Sequence, residues 1–589
     1  MGGFALPFLQ SRFGMGIGEL SDNPIGSSRS IFVTFTFDNI LYGKMTGIGR
    51  AHTSATSNEQ RMKYGIAILL LAFIHGRSFG QEIVREYLIE KKYLNIPVEQ
   101  KQDRQRVVIR EGVSDSTYDV IRIAEGKPDY WVFRDVSALK GKILKLAFSR
   151  KVSGIDLIHQ DDHFPGEDSL YKEVGRPQFH FSSRRGWNND PNGLIYHKGE
   201  YHLFYQHNPY EVNWGNMHWG HAVSIDLLHW TELPDALFPD TLGTMFSGSA
   251  VTDKKNTSGF GKDALVAIYT ASGKKMTQNI AYSLDGGRSF RKYAGNPVLG
   301  PDRDPKVFWY EPQKKWVLVM YNENYNAIYD SKDLKTWTYR SKVNGFYECP
   351  EFFELSIDGN PQNRKWVMYG ASGTYMIGTF DGNRFIPTSG KFMYTSGSLY
   401  AAQTYNDAPD GRRIQIGWGN IDHKGMPFNQ LMLFPNELTL RTTPEGVRLF
   451  CEPIREIEKL HDKKYEWKNT GIDLVNKELS QLKGDLYHGI LEFELDKGLG
   501  MELHYRGEPI IYFDGNYNSF NHIPFTGEKP DIQKYRVEFL IDRSSVEAYI
   551  DKGRLFLAEG LKLTNHEGLM LEGGIKVNSF QLYTLKSIW

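Results

Sequence analysis

Between residues 222 and 385 the chain returns four times to one short pattern, and that return restricts the fold more than any other feature. An apolar run closes on a polar turn and then an aromatic. Ala222-Val223-Ser224-Ile225-Asp226 leads to His229-Trp230, and Ala281-Tyr282-Ser283-Leu284-Asp285 leads to Ser289-Phe290. Ile328-Tyr329-Asp330-Ser331-Lys332-Asp333 leads to Thr336-Trp337, and Thr379-Phe380-Asp381-Gly382 leads to Phe385. The interval is roughly 50 residues, the size of a four-stranded propeller blade. The stretch 176–460 has room for about five such blades. Inner strands of a propeller start near a central channel, so residues far apart in sequence can converge there.

Carboxylates stand where such strands would start. Trp187-Asn188-Asn189-Asp190-Pro191-Asn192-Gly193 places an acid among turn formers, ahead of the strand-like run Leu194 to Phe204. Pro fixes φ there and Gly allows φ > 0. Arg303-Asp304-Pro305 and Tyr347-Glu348-Cys349-Pro350 repeat the arrangement, a turn and an acid before an apolar run. Three acids on separate strand starts suit glycoside cleavage, which needs an acid and a nucleophile flanking one bond.

Longer motifs run in the same order. They are Trp214-Gly215-Asn216-Met217-His218-Trp219-Gly220-His221-Ala222-Val223-Ser224, Met245-Phe246-Ser247-Gly248-Ser249-Ala250 and Arg303-Asp304-Pro305-Lys306-Val307-Phe308-Trp309. With these the chain resembles glycoside hydrolase family 32, the levanases, exo-inulinases and invertases, from about Phe179 to Ile457 and more weakly to the C-terminus. The family usually has Met where this chain has Asn188. The resemblance implies an all-β chain: a five-bladed β-propeller followed by a C-terminal β-sandwich, with an additional small N-terminal β domain read from the sequence itself. It implies Asp190 as nucleophile, Glu348 as general acid/base and Asp304 as transition-state stabiliser. Asn189, Gln206, Trp214, Phe246 and Ser247 align with motifs lining the fructose subsite, Arg303 is expected to bind hydroxyls, and Trp418 belongs to the aromatic wall. Many relatives place a second Trp soon after Asn420, where this chain has Ile421. Cys349 either touches the acid's surroundings or is a small buried filler.

The implied activity is that of a retaining β-fructofuranosidase, exo-acting on levan or inulin and accepting sucrose. Endo-cleavage is one alternative, and a five-bladed hydrolase of arabinan or xylan is another. A non-catalytic fructan-binding propeller would lack one of the acids, and an interaction propeller would lack convergent acids and an export signal. No cofactor is expected. His207, His218 and His221 lack the spacing of a metal site and are read as strand packing.

The remaining chain divides by composition. Residues 1–61, rich in Gly, Ser and Thr, read as an extension upstream of a start at Met62. Residues 62–80 read as a signal peptide: a basic start, the apolar run Ile66 to Ile74, and small residues before Gln81. That run is too short for a membrane span of about 20 residues, so the expectation is an exported chain with no span in its mature part. Residues 81–175 read as a small sandwich-like domain with strands near Arg106–Arg110, Tyr118–Ile123, Tyr130–Phe133 and Lys142–Phe148. Residues 461–589 carry short strands such as Gly489–Leu495 and Val537–Ile541. Asp542 and Glu547 in that last part are read as structural acids. Net charge is zero, which gives no reason to expect a nucleic-acid partner. Two cysteines, Cys349 and Cys451, do not make a disulfide framework.

Overall fold

Strands that are apolar on both faces must be covered on both faces, and stacked blades do that. In Lys315–Asn322, Trp316, Leu318 and Met320 pack toward the preceding blade with Val251, Val266 and Ile268. Their neighbours Val317 and Val319 pack toward the following blade with Phe352, Trp366 and Phe385. Side chains alternate across a strand, so one strand serves two inter-blade cores. The computed structural model describes residues 83–111, 115–525, 532–562 and 568–589. The expected extension 1–61 and signal 62–80 lie outside the described residues.

Five antiparallel blades surround the channel. Their inner strands are Gly186–His197, Thr244–Asp253, Arg303–Tyr310, Glu351–Ile357 and Leu399–Thr404. The fourth and fifth blades join through a parallel bridge between Ile357 and Leu440. Phe428–Asn429 closes the ring by pairing in parallel with Gly186 and Trp187 of the first inner strand. Asn188 explains its departure from Met here. With its amide oriented to donate, it reaches the carbonyls of Asn429 at 2.9 Å and Gln430 at 3.0 Å, both on the closing segment.

The recurring polar turns link the third and fourth strands of the blades. Asp226, Asp285, Asp333 and Asp381 each accept backbone N–H groups two to four residues ahead, as in His229 to Asp226 at 3.0 Å and Thr336 to Asp333 at 2.8 Å. Ser224, Ser283 and Ser331 bond the first three of these acids from two residues earlier. The motif is therefore a self-satisfied turn, which frees the flanking strands to carry apolar residues.

Beyond the propeller, a seven-stranded and a five-stranded sheet enclose Leu491, Phe493, Leu503, Phe539 and Phe580. The one α-helix described, Ile472–Leu479, buries Val475 and Leu479 against this core. Asp542 and Glu547 are fully buried and grip His180 at 2.8 and 2.9 Å. Asp542 also accepts the N–H groups of Gln178 and Phe179, and Glu547 that of Phe434. Burial alone would push the His180 imidazole down, but its two carboxylate bonds outweigh burial and raise it to about 9. The pair thus pins sandwich to propeller.

At the other end, a four-stranded and a three-stranded sheet pack around Leu94, Ile96, Val107, Ile121 and Phe148. Strands Ile83–Leu88, Tyr93–Val98 and His159–Asp161 were not anticipated from sequence. Both cysteines are free and buried.

Candidate active site

Four of the five inner strands break register at their channel end, each beside a polar side chain. The ladder skips between Asn188 and Pro191, between Phe246 and Gly248, between Arg303 and Lys306, and between Tyr400 and Gln403. A bulge leaves one or two residues unpaired and re-aims them. Here those residues include Asp190, Ser247 and Asp304. Asp304 itself lies at φ 61° and Cys349 at φ 48°, left-handed conformations uncommon for such residues. In the fourth blade Glu348 precedes the strand Glu351–Ile357, and Ala371 N–H holds its carbonyl at 2.9 Å.

The acids meet through shared partners. Asp190 accepts from Asn189 Nδ2 at 2.9 Å and from Ser247 Oγ at 2.6 Å, which fixes its orientation. Cys349 touches two acids at once: its Sγ lies 3.5 Å from Asp190 Oδ2, and its N–H lies 3.4 Å from Asp304 Oδ2. Arg303 pairs with Glu348 and lies 3.6 Å from Asp304 Oδ2. The Arg303 guanidinium also faces the rings of Tyr321 and Tyr347, at 5.5 and 5.9 Å. Tyr400 Oη donates to Glu348 Oε1 at 2.6 Å.

The environments of these acids differ. Burial pushes Asp304 up to about 7, with Glu348 and Asp190 adding to the rise and Arg303 opposing it. Glu348 is also raised, chiefly by burial and further by Asp190, against the pull of Arg303 and Tyr400. A carboxyl kept protonated beside other carboxylates can donate a proton to a leaving oxygen.

Around the acids stand aromatic rings. Trp418 lies 6.1 Å from Trp187 and 5.9 Å from Tyr400, ring to ring, and its Nε1–H donates to Gln430. Trp187 Nε1–H donates to Asn189 Oδ1, so it holds the side chain that holds Asp190. Trp214 is 54% exposed and meets Phe246 edge to face at 6.1 Å. Gln206 is different: it is buried a layer back, where its Nε2 donates to a suitably oriented Asn192 side chain. Ile421 is buried in the core and takes no place in the wall.

Sequence reasoning missed Tyr400 and the bracing roles of Trp187, Tyr321 and Tyr347. Trp187 and Tyr347 sit within the quoted acid motifs, whereas Tyr400 lies outside them. The three histidines take separate partners: His207 bonds Asp235 and the Arg185 carbonyl, His218 the Asn216 carbonyl, and His221 bonds His202.

A five-bladed propeller whose channel mouth gathers three acids, one bridging arginine and an aromatic wall is the architecture of a carboxylate-dependent glycoside hydrolase. Residues 180–453 match the glycosyl hydrolases family 32 N-terminal domain. A levanase of Bacillus subtilis is 40% identical over 489 residues, covering 72% of this chain and 72% of that protein. An extracellular exo-inulinase of Aspergillus awamori is 30% identical over 518 residues, covering 71% of this chain and 96% of that one. Among solved structures, exo-inulinase from Aspergillus awamori superposes with TM-score 0.62 at 29% identity, covering 71% of this chain and 100% of that chain. Fructofuranosidase from Schwanniomyces occidentalis complexed with fructose gives TM-score 0.63 at 27% identity, covering 71% and 99%. The chain belongs to glycoside hydrolase family 32.

Proposed function

We propose that this chain is an exported β-fructofuranosidase that hydrolyses fructans from the chain end, with retention, and that also cleaves sucrose. The observation that carries the reading is the meeting of Asp190, Asp304 and Glu348 through Cys349 and Arg303. The fructan class is supported by the levanase and exo-inulinase relatives, and the exo mode and export by the extracellular exo-inulinases among them. No helix among the described residues is long and apolar enough to cross a membrane. The domain edges that accompany this reading lie near residues 175 and 460.

Asp190, oriented by Asn189 and Ser247, attacks the anomeric carbon of the terminal fructosyl unit as the bond to the leaving oxygen breaks. Glu348, protonated, gives its proton to that oxygen, and then takes one from the water that releases fructose. Asp304 accepts hydrogen bonds from ring hydroxyls, which strengthen as positive charge spreads over the ring. Arg303 holds Asp304 and Glu348 in distinct roles. Retention requires carboxyl groups about 5–5.5 Å apart. The contact of Asp190 with Cys349, the residue next to Glu348, supports so short a span.

The test is the anomeric form of first-released fructose by NMR on levan, inulin and sucrose, with mass analysis of trapped enzyme. The β-anomer and an adduct on Asp190 are expected, and Asp190→Asn should abolish both turnover and adduct. Inverted product, an adduct elsewhere, or a ladder of oligosaccharides without fructose would each overturn a part of the reading.

A further inference from the structure

The N-terminal sandwich grips one loop at the mouth of the site. That loop, residues 208–217, leaves the second strand of the first blade and carries Trp214. Tyr210 of the loop is buried inside the sandwich core, alongside Ile96, Val132 and Ile158. Glu211 is 1% exposed in its side chain and receives Arg104 at 3.0 Å, Arg122 through its guanidinium, and the Arg122 N–H at 3.1 Å. Asn216 bonds Val120 in both directions, at 2.8 and 3.0 Å, in the manner of a strand partner. Arg104 also reaches the Trp214 carbonyl at 3.4 Å. From the propeller side the loop has Asn208, which accepts from Tyr210 N–H and Asn216 and donates to the Asn213 carbonyl, and Asn429, which donates to Val212.

We propose that the N-terminal sandwich is a positioning domain, which fixes Trp214 as a sugar platform beside Phe246 and the Asp190–Ser247 pair. The proposal rests on the fructan reading for its substrate. A residue half exposed at a site mouth stays where its backbone holds it, and here most of that hold comes from another domain. Burying Glu211 without its two arginines would be costly, so the loop and the sandwich order together. Arg104, Arg122 and Glu211 are thus positioning residues for substrate affinity, acting through Trp214.

The experiment is a double-mutant cycle between the grip and the platform. Arg104→Ala with Arg122→Ala, Trp214→Ala, and all three together are assayed for KM and kcat on levan and inulin oligosaccharides. The grip variant should raise KM about tenfold, short of the ~100-fold that a 1 Å misplacement can cost, with kcat changed much less. On the Trp214→Ala background the same arginine changes should add nothing further to KM. Hydrogen exchange of residues 208–217 should quicken in the grip variant, and Arg122→Lys should recover part of the KM. Glu211→Gln keeps the shape and removes the charge, and gives the same readings if the double arginine variant does not fold. Additive KM effects, or unchanged exchange in that loop, overturn the proposal. Failure of the fructan reading is separate: wild-type enzyme would release no fructose, while the exchange measurement needs no substrate.

Discussion

Asp304→Asn separates what the site does for catalysis from what it costs the fold. Asp304 is 7% exposed and shares its surroundings with Glu348 and Asp190. Its carboxyl moves from an ordinary 3.8 to about 7, and at 1.36 kcal/mol per tenfold that is about 4 kcal/mol. A folded-state value above the unfolded one means the folded chain binds this proton more tightly. The corresponding stability is fully present below 3.8 and is lost as pH rises through about 7. Between pH 5 and 8 the wild-type protein should lose about 2–3 kcal/mol from this group. Asn has nearly the same shape, carries no charge, and can still accept the Cys349 N–H. The variant should therefore be the more stable protein at pH 8, by roughly 2 kcal/mol, with the advantage shrinking toward pH 5. Thermal midpoints of the propeller transition measure it, at about 2 °C per kcal/mol for a domain above 200 residues. The same variant should lose about 10²–10³-fold in kcat, the cost of removing one preorganised electrostatic partner, with KM changed far less. A variant no more stable than wild type at pH 8, or an advantage that does not vary with pH, refutes the reasoning about the buried charge.

Other outcomes follow from the same geometry. Glu348→Gln should abolish turnover of levan and sucrose but spare aryl fructosides with good leaving groups, and it should remove the alkaline limb of kcat/KM, since Glu348 must be protonated to donate. Tyr400→Phe removes the 2.6 Å bond that lowers Glu348, so the alkaline limb in a pH–rate profile should move to higher pH. His180→Ala leaves Asp542 and Glu547 buried without their cation, and should cost about 3–5 kcal/mol in thermal or urea unfolding. In the wild type this seam contributes fully below 6.5 and weakens as pH rises through about 9, which limited proteolysis across pH 8–10 should register.

The fold was legible because its turns are satisfied locally. An aspartate that caps the backbone N–H groups just ahead of it, followed by an aromatic that packs between blades, needs no distant partner to leave a mark in sequence. The apolar runs of the inner and middle strands were readable for the same reason. Elements that depend on distant partners were not. Ile83–Leu88 alternates half-buried and exposed residues and pairs with Ile143–Phe148 some sixty residues on. The closing segment Phe428–Asn429 is too short to show a pattern. The helix Ile472–Leu479 is held by a sandwich core assembled from strands far along the chain.

The acids were legible for a second reason, and their partners were not. Asp190 and Asp304 lie where the chain leaves the regular ladder, and Glu348 lies in a turn just before its strand, so Pro and Gly mark them. Bulges re-aim Asp190, Ser247 and Asp304, while Glu348 is set by the turn ahead of its own strand. A bulge has no sequence marker when an ordinary residue takes the strain, as Ala401 does at φ 46° beside Tyr400. Tyr400 therefore escaped notice although it bonds the acid directly. The same logic separates the neighbours: Asp190, Ser247 and Asp304 lie on unpaired, re-aimed backbone, while Gln206, on the ordered ladder opposite Trp219, bonds Asn192. Gln206→Ala should then lower stability by about 1–3 kcal/mol, through the bond it leaves unmade at Asn192, and change KM for sucrose by less than the Trp214→Ala substitution does. A larger loss of affinity from Gln206→Ala than from Trp214→Ala would mean that this side chain reaches the substrate itself.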